Sequence, residues 1–306
     1  MFAKLLRHDL KSVSRVGKPL AIASFFLGIL GLISSIAHSL IITRSYKILE
    51  SSASAFDSGD KALAEKYSDL YSTLSFASTI LTFMMFFIFL MLCASCVTIM
   101  VILVVNFYKT LITDEGYLTF TLPVSPTEIL LSKVVNGIIW NTIIMLLFAL
   151  GTAMIVVPSV LINENGLLAS MLKLEGFDRM NLVLFIVLLL ESSFFSVIAY
   201  QIFYFFAVFL GGIVAKKKKI LASAGIIVGG HVAYYVLQQI FSFGFIVTLF
   251  TYMTPETTDM WMPYNTIDPF ILTNIPLLFS FLGAIIIGFV FFFVTRKLMT
   301  KNLNLP

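Results

Sequence analysis

Charged residues are scarce in this chain of 306 residues, of which only 12% are Asp, Glu, Lys or Arg. Hydrophobic residues take their place at 59%, and the mean hydropathy is +1.01. Soluble domains carry roughly twice that charged fraction, so the composition excludes a soluble enzyme, a nucleic-acid-binding protein and a disordered protein. The sequence therefore predicts an integral membrane protein with no nucleic-acid partner.

Motifs for several kinds of chemistry are also missing. Cys93 and Cys96 are the only cysteines and cannot form a disulfide framework; they lie in an apolar run, where thiols behave as small hydrophobic side chains. The closest approach to a phosphate-binding loop, at 16–19, lacks the upstream glycine and the Ser or Thr after the lysine. No His-Glu-x-x-His or paired-glutamate metal motif occurs. We therefore expect no cofactor, no metal and no enzymatic activity in this chain.

Long hydrophobic runs are abundant instead. Six runs each exceed the 18 residues or so that a helix needs to cross roughly 30 Å of hydrocarbon. They are apolar on every face, which disfavours the alternating pattern of a β-barrel. We predict an all-α integral membrane fold, a six-transmembrane-helix bundle that forms a single domain. The runs are 19–42, 74–106, 134–157, 182–215, 220–249 and 270–295.

The distribution of Lys and Arg predicts the orientation, because basic loops are retained in the cytoplasm. With the N-terminus inside, the cytoplasmic segments hold 14 of the 20 basic residues. We predict a multi-pass protein of the plasma (cytoplasmic) membrane with both termini in the cytoplasm. The cytoplasmic segments are 1–18, 107–133, 216–219 and 296–306, and the outer segments are 43–73, 158–181 and 250–269.

Residues 1–18 have the pattern of an amphipathic helix, with apolar residues on one face and basic residues elsewhere. Such a helix typically lies in the membrane interface. A second small feature is the run 216–219 of four lysines, to which we assign a role in topology. Small residues spaced four apart, at 225 and 229 and at 284 and 288, indicate close helix packing within the bundle or across a dimer.

Glu191 is the only formal charge within a predicted span, and Ser192 and Ser193 follow it. Ionisable residues are rare in hydrocarbon and usually face a bundle interior or water, so these three residues form a candidate intramembrane polar site. The alternative is that Glu191 lies at the outer interface, which depends on where its helix begins.

The polar stretch 107–133, hereafter the elbow, connects the second and third spans on the predicted cytoplasmic side. A helical pattern ends at Gly116, and four large apolar residues follow within 117–122. A new helix is predicted after Pro123, where Ser125 and Glu128 have the spacing of a capping box. An ordinary solvated loop does not need this apolar cluster, so we interpret the elbow as a docking surface; contact with lipid headgroups is the alternative.

This arrangement resembles the membrane-spanning permease subunit of an ATP-binding-cassette (ABC) transporter of the ABC-2, or type II exporter, kind. The resemblance covers nearly the whole chain and is most specific from Asn106 through 114–123 to Lys133. It implies a connecting helix at residues 1–18, a coupling region at 107–133 and an outer excursion at 250–269. It assigns contact with the ATPase to Asp114, Glu115, Gly116, Tyr117, Leu118, Phe120, Leu122 and Pro123, and the connecting helix to Phe2, Leu5, Leu6 and Leu10.

By this resemblance the chain is a subunit of an ATP-driven exporter. Its expected partners are a cytoplasmic ABC ATPase subunit that binds ATP and Mg²⁺, a second permease subunit in a homo- or heterodimer, and membrane lipid. One alternative is a non-transporting scaffold or sensor that anchors a kinase or protease through the elbow. Another is an ion-coupled carrier centred on Glu191, for which inverted repeats would be expected. Glu191→Gln should abolish transport by such a carrier but leave an ATP-driven exporter largely active.

Overall fold

The computed structural model describes residues 2–113, 124–162, 179–215, 218–253 and 269–302. Within these ranges the chain forms six α-helices and no strand, and all six helices are long and apolar enough to cross a membrane. The predicted all-α, multi-pass membrane protein is thereby confirmed. The helices are α1 (Phe2–Asp57), α2 (Lys61–Leu111), α3 (Pro126–Ile162), α4 (Arg179–Val214), α5 (Lys219–Met253) and α6 (Pro269–Asn302).

Each predicted hydrophobic run lies in a different helix, apart from the last residue of the fourth run. The helices are longer than the runs, most of all α1 with 56 residues and α2 with 51. At 1.5 Å per residue these helices measure about 84 and 76 Å, well beyond the roughly 30 Å that hydrocarbon requires. Both therefore continue outside the membrane.

The segment 43–73 accounts for part of this extra helical length. The charge pattern assigned the segment to the outer side but did not predict its conformation; it is helical except for a turn at 58–60. Gly59 has φ +81°, a value that glycine adopts without steric cost. Asp60 then caps α2, since its carboxylate accepts a hydrogen bond from Leu63 N at 3.1 Å. No proline interrupts the segment, so α1 and α2 extend as a helical hairpin.

At the other end of α1, the expected boundary between a connecting helix and the first span is absent. The helix is continuous from Phe2 through Pro19. Proline removes one backbone hydrogen bond, but packing next to it supports the helix: a Cβ on Gly17 would lie 2.6 Å from the ring of Trp140. Residues 2–18 are thus part of α1, and their position in the membrane interface stays a prediction.

The chain divides into two compact units. The first contains residues 1–10, 102–138 and 176–306, and the second contains 11–101 and 139–175. The first unit has a buried apolar core in which Phe107 of α2 stacks on Phe205 of α4, with ring centroids 4.3 Å apart. The buried members of this core are Phe107, Leu111, Ile129, Leu130, Val134, Ile202, Phe205, Val208, Phe209 and Met299.

The second unit depends on close contact between α1 and α3. A Cβ on Gly28 would lie 3.2 Å from the Cα of Gly151, so the two backbones nearly touch. Small residues permit such close contact between membrane helices. Of the small residues that the sequence singled out, Gly288 is packed, since a Cβ there would lie 3.7 Å from the Cα of Ala199. Around Gly225 and Gly229, by contrast, no atom of another described helix lies within 4 Å of a built Cβ. The close packing in the second unit therefore depends on Gly28 and Gly151, which the sequence analysis had not identified as a packing face.

Candidate functional site

The structure describes the elbow through its two flanks, 107–113 and 124–133. All eight residues assigned to ATPase contact fall within 114–123, outside the described residues, and their role stays a prediction. What the structure does describe is how each flank is attached to the first unit.

The N-terminal flank is the last turn of α2. Its Phe107 and Leu111 are buried in the core of the first unit. Beyond them, the carbonyl of Ile112 accepts a hydrogen bond from Lys219 Nζ at 3.1 Å. A Cβ on Gly212 would lie 3.0 Å from Ile112 Cγ2, so the backbone of α4 is close against the same residue. The end of α2 is therefore held by both α4 and α5, and one lysine of the 216–219 run bonds to the elbow.

The C-terminal flank begins with the capping box that the sequence predicted. Ser125 N donates to Glu128 Oε2 at 3.1 Å, and Glu128 N donates to Ser125 Oγ at 3.3 Å. Ile129 and Leu130, in the next positions, are 1% exposed and belong to the core of the first unit. The start of α3 is thus fixed both by its own cap and by burial of its first turns.

Two turns into α3, a buried ion pair joins this flank to the start of α1. Lys133 Nζ lies 2.5 Å from Asp9 Oδ1, and Ser132 Oγ donates to Asp9 Oδ2 at 2.9 Å. The two charged side chains are 3% and 2% exposed, and no other ion pair occurs among the described residues. Removing one partner of such a pair leaves an uncompensated buried charge, at a cost of about 3–5 kcal/mol.

Sequence reasoning missed this ion pair, although a signal for it exists. Asp9 follows Leu5 by one turn and precedes Val13 by one turn, so a carboxylate stands on the apolar face of an amphipathic helix. The structure buries Asp9 and Val13 to 1% and 2% exposure. Leu5 packs against the core of the first unit, and the other three residues assigned to the connecting helix are partly buried. This face of α1 therefore packs on protein.

No described hydrogen bond joins the three side chains of the candidate polar site at Glu191 to one another. Glu191 is exposed, whereas Ser192 is buried and donates to Leu189 O, and Ser193 donates to Leu190 O. Both hydroxyls therefore bond within their own helix. From Glu191 to the end of α4 at Val214 there are 23 residues, or about 35 Å, more than the hydrocarbon thickness of about 30 Å. On the other side α4 begins at Arg179, 12 residues or about 18 Å before Glu191, so the start of the helix does not favour the outer-interface alternative, and the depth of Glu191 stays a prediction.

The described part of the elbow is thus packed firmly against the first unit. Two short flanks with buried side chains hold the ends of residues 114–123, and one of the flanks is tied to α1 by charge. The chain matches no protein-family model, no curated protein and no solved structure.

Proposed function

We propose that this chain is the transmembrane permease subunit of an ATP-driven ABC transporter of the ABC-2 kind, and that it acts in export. A separate cytoplasmic ATPase contacts the elbow, and a second permease subunit completes the transporter. The observation that carries the proposal is the attachment of both flanks of the elbow, through Ile112 on one side and the capped start of α3 on the other.

Force transmission requires this kind of attachment. A segment that receives a push from a partner protein moves a membrane helix only if its ends are packed rigidly against that helix, because close-packed interiors transmit displacement. On one side the elbow continues directly into α2, and on the other it continues into α3. The Asp9–Lys133 ion pair adds the first turns of α1 to the elements that such a push would move.

Partner capture tests the proposal. A cysteine introduced by Leu118→Cys and carrying a photoactivatable crosslinker should crosslink to an ATPase subunit in native membranes. The matched control is Tyr46→Cys, because Tyr46 is 63% exposed on the hairpin predicted to lie outside and should capture no cytoplasmic protein. Recovery of a kinase or protease at the elbow, instead of an ATPase, would support the scaffold alternative and contradict the proposal.

Catalysis provides the second arm of the test. The purified chain should hydrolyse ATP no faster than buffer, and the captured ATPase should hydrolyse ATP faster in proteoliposomes that contain this chain than in empty ones. Steady hydrolysis by the purified chain alone would overturn the proposed division of labour.

A further inference from the structure

A cluster of rings joins α4 and α5 in the first unit. We define this Tyr–His cluster as Tyr200, Phe203, Tyr204, His231 and Tyr234. Its best-defined contact is between Tyr204 and His231, whose hydroxyl oxygen and Nε2 are 3.0 Å apart and whose ring planes are tilted by only 18°. The ring of Tyr200 lies 5.5 Å from that of His231 and 5.8 Å from that of Tyr234, edge to face in the second case.

The cluster lies far from both ends of the two spans. His231 follows Lys219, at the start of α5, by 12 residues, and Tyr204 precedes Val214, at the end of α4, by 10 residues. These separations correspond to about 18 and 15 Å along the helix axes, close to half of a hydrocarbon layer of about 30 Å. Tyrosine is enriched at membrane interfaces, where its hydroxyl reaches water, and histidine is rare within membrane spans. Four such side chains near mid-depth therefore need another explanation.

The rest of the chain does not fully bury the Tyr–His cluster. Tyr234 is 37% exposed, and Tyr200, Tyr204 and His231 are only half-buried. The polar atoms of these side chains bond to one another, Tyr204 to His231 and Tyr200 to Tyr234, so the part of the cluster that stays uncovered is its ring surface. Polar groups at this depth typically face a bundle interior or a substrate path. The partly exposed side of the cluster is thus an aromatic surface that a ligand can contact.

The charges around the cluster select the sign of that ligand. The ring faces of tyrosine and phenylalanine are electronegative and attract cations, most strongly where water is excluded. Within 187–214 and 220–236 the only Asp, Glu, Lys or Arg is Glu191, an acid, so an anion would meet no Lys or Arg there.

We propose that the Tyr–His cluster binds lipophilic organic cations, and that such cations are the substrate class of the transporter. The binding site stands on the geometry of the cluster alone, whereas its use in transport rests on the proposed function. Close packing supports the site: a Cβ on Gly230 would lie 2.2 Å from Phe203 Cζ, so this glycine lets the Phe203 ring pack directly against the backbone of α5.

Tetraphenylphosphonium is the probe, and tetraphenylborate is its control, because the two ions share size and shape but carry opposite charge. Binding to the full chain in lipid nanodiscs is measured by equilibrium dialysis, and partition into empty nanodiscs is subtracted. We expect saturable binding of the cation, and at most nonsaturable partition of the anion. Tyr200→Leu and Tyr234→Leu should each weaken cation binding about tenfold, since one ring contributes on the order of 1.4 kcal/mol.

Two further variants separate a binding role from a folding role. Tyr235→Leu is the matched control, because Tyr235 neighbours Tyr234 but is 62% exposed and makes none of the described ring contacts; its affinity should change less than twofold. Tyr200→Phe keeps the ring and should retain most of the affinity even if the leucine variants fold poorly. Saturable binding of both ions, or of neither, would overturn the proposal, as would equal losses at Tyr234 and Tyr235.

The binding assay contains no ATPase, so its outcome is independent of the partner experiment. Saturable cation binding by a chain that captures no ATPase would keep the site and remove the proposed function. Capture of an ATPase by a chain that binds no cation would keep the proposed function and remove this substrate class.

Discussion

Asp9→Asn should destabilise the protein strongly. In the native chain the Asp9 carboxylate pairs with Lys133 and accepts a second hydrogen bond from Ser132, and both charged side chains are at most 3% exposed. Asparagine keeps nearly the same shape and can still accept the bond from Ser132. The substitution therefore removes the negative charge and little else, and it leaves the ammonium group of Lys133 buried without a counter-charge.

The expected loss in the free energy of unfolding is about 3 kcal/mol, the lower end of the range for breaking a buried pair, because the hydrogen bond to Ser132 is kept. The double variant Asp9→Leu with Lys133→Met should recover most of the loss. Replacing both members of a buried pair by apolar residues of similar size is often neutral or stabilising. The double-mutant cycle built on these positions should therefore show strong coupling.

Unfolding is followed by circular dichroism during titration of mixed micelles with sodium dodecyl sulfate. The matched control is Asp69→Asn, since Asp69 is exposed on α2 and a surface substitution usually changes stability by less than about 0.5 kcal/mol. If Asp9→Asn is as mild as Asp69→Asn, or if the double variant is as unstable as the sum of its single variants, the reasoning from a buried pair is refuted.

Two further predictions use the same unfolding measurement. Gly28→Leu should cost about 1–3 kcal/mol because its side chain would collide with the backbone of Gly151, whereas Gly225→Leu meets no atom within 4 Å and should not destabilise; equal losses would contradict the packing of α1 on α3. Ser125→Ala should cost about 1 kcal/mol by removing the cap of α3, and Glu128→Gln should cost less because an amide oxygen can still accept the bond from Ser125 N. A larger loss for Glu128→Gln than for Ser125→Ala would mean that charge, and not the cap, fixes this turn.

Hydrophobic length made the number of helices predictable. Each run is long enough to demand a helix in lipid, because every backbone polar group must be satisfied within its own segment. The start of α3 was predictable too, since Ser125 and Glu128 form a local motif that requires no knowledge of the rest of the chain. Properties that depend on a few neighbouring residues could therefore be derived from the sequence.

Contacts between residues far apart in the sequence could not be derived in this way. Asp9 and Lys133 are separated by 124 residues, and charge counting placed both on the predicted cytoplasmic side without pairing them. Gly225 and Gly229 have the spacing of a packing face, but no other described helix packs against them, whereas Gly28 packs closely on Gly151. Which face of a helix meets a neighbour is decided by the arrangement of the whole unit, and a single sequence does not contain that information in readable form.

One helix, α2, belongs to both compact units, since residues 61–101 lie in the second unit and residues 102–111 in the first. Boundaries between compact units normally fall in exposed linkers, where a protease can cut. In α2 the boundary falls within a continuous helix, whose backbone hydrogen bonds oppose cleavage. Limited proteolysis should therefore not separate the two units between residues 101 and 102.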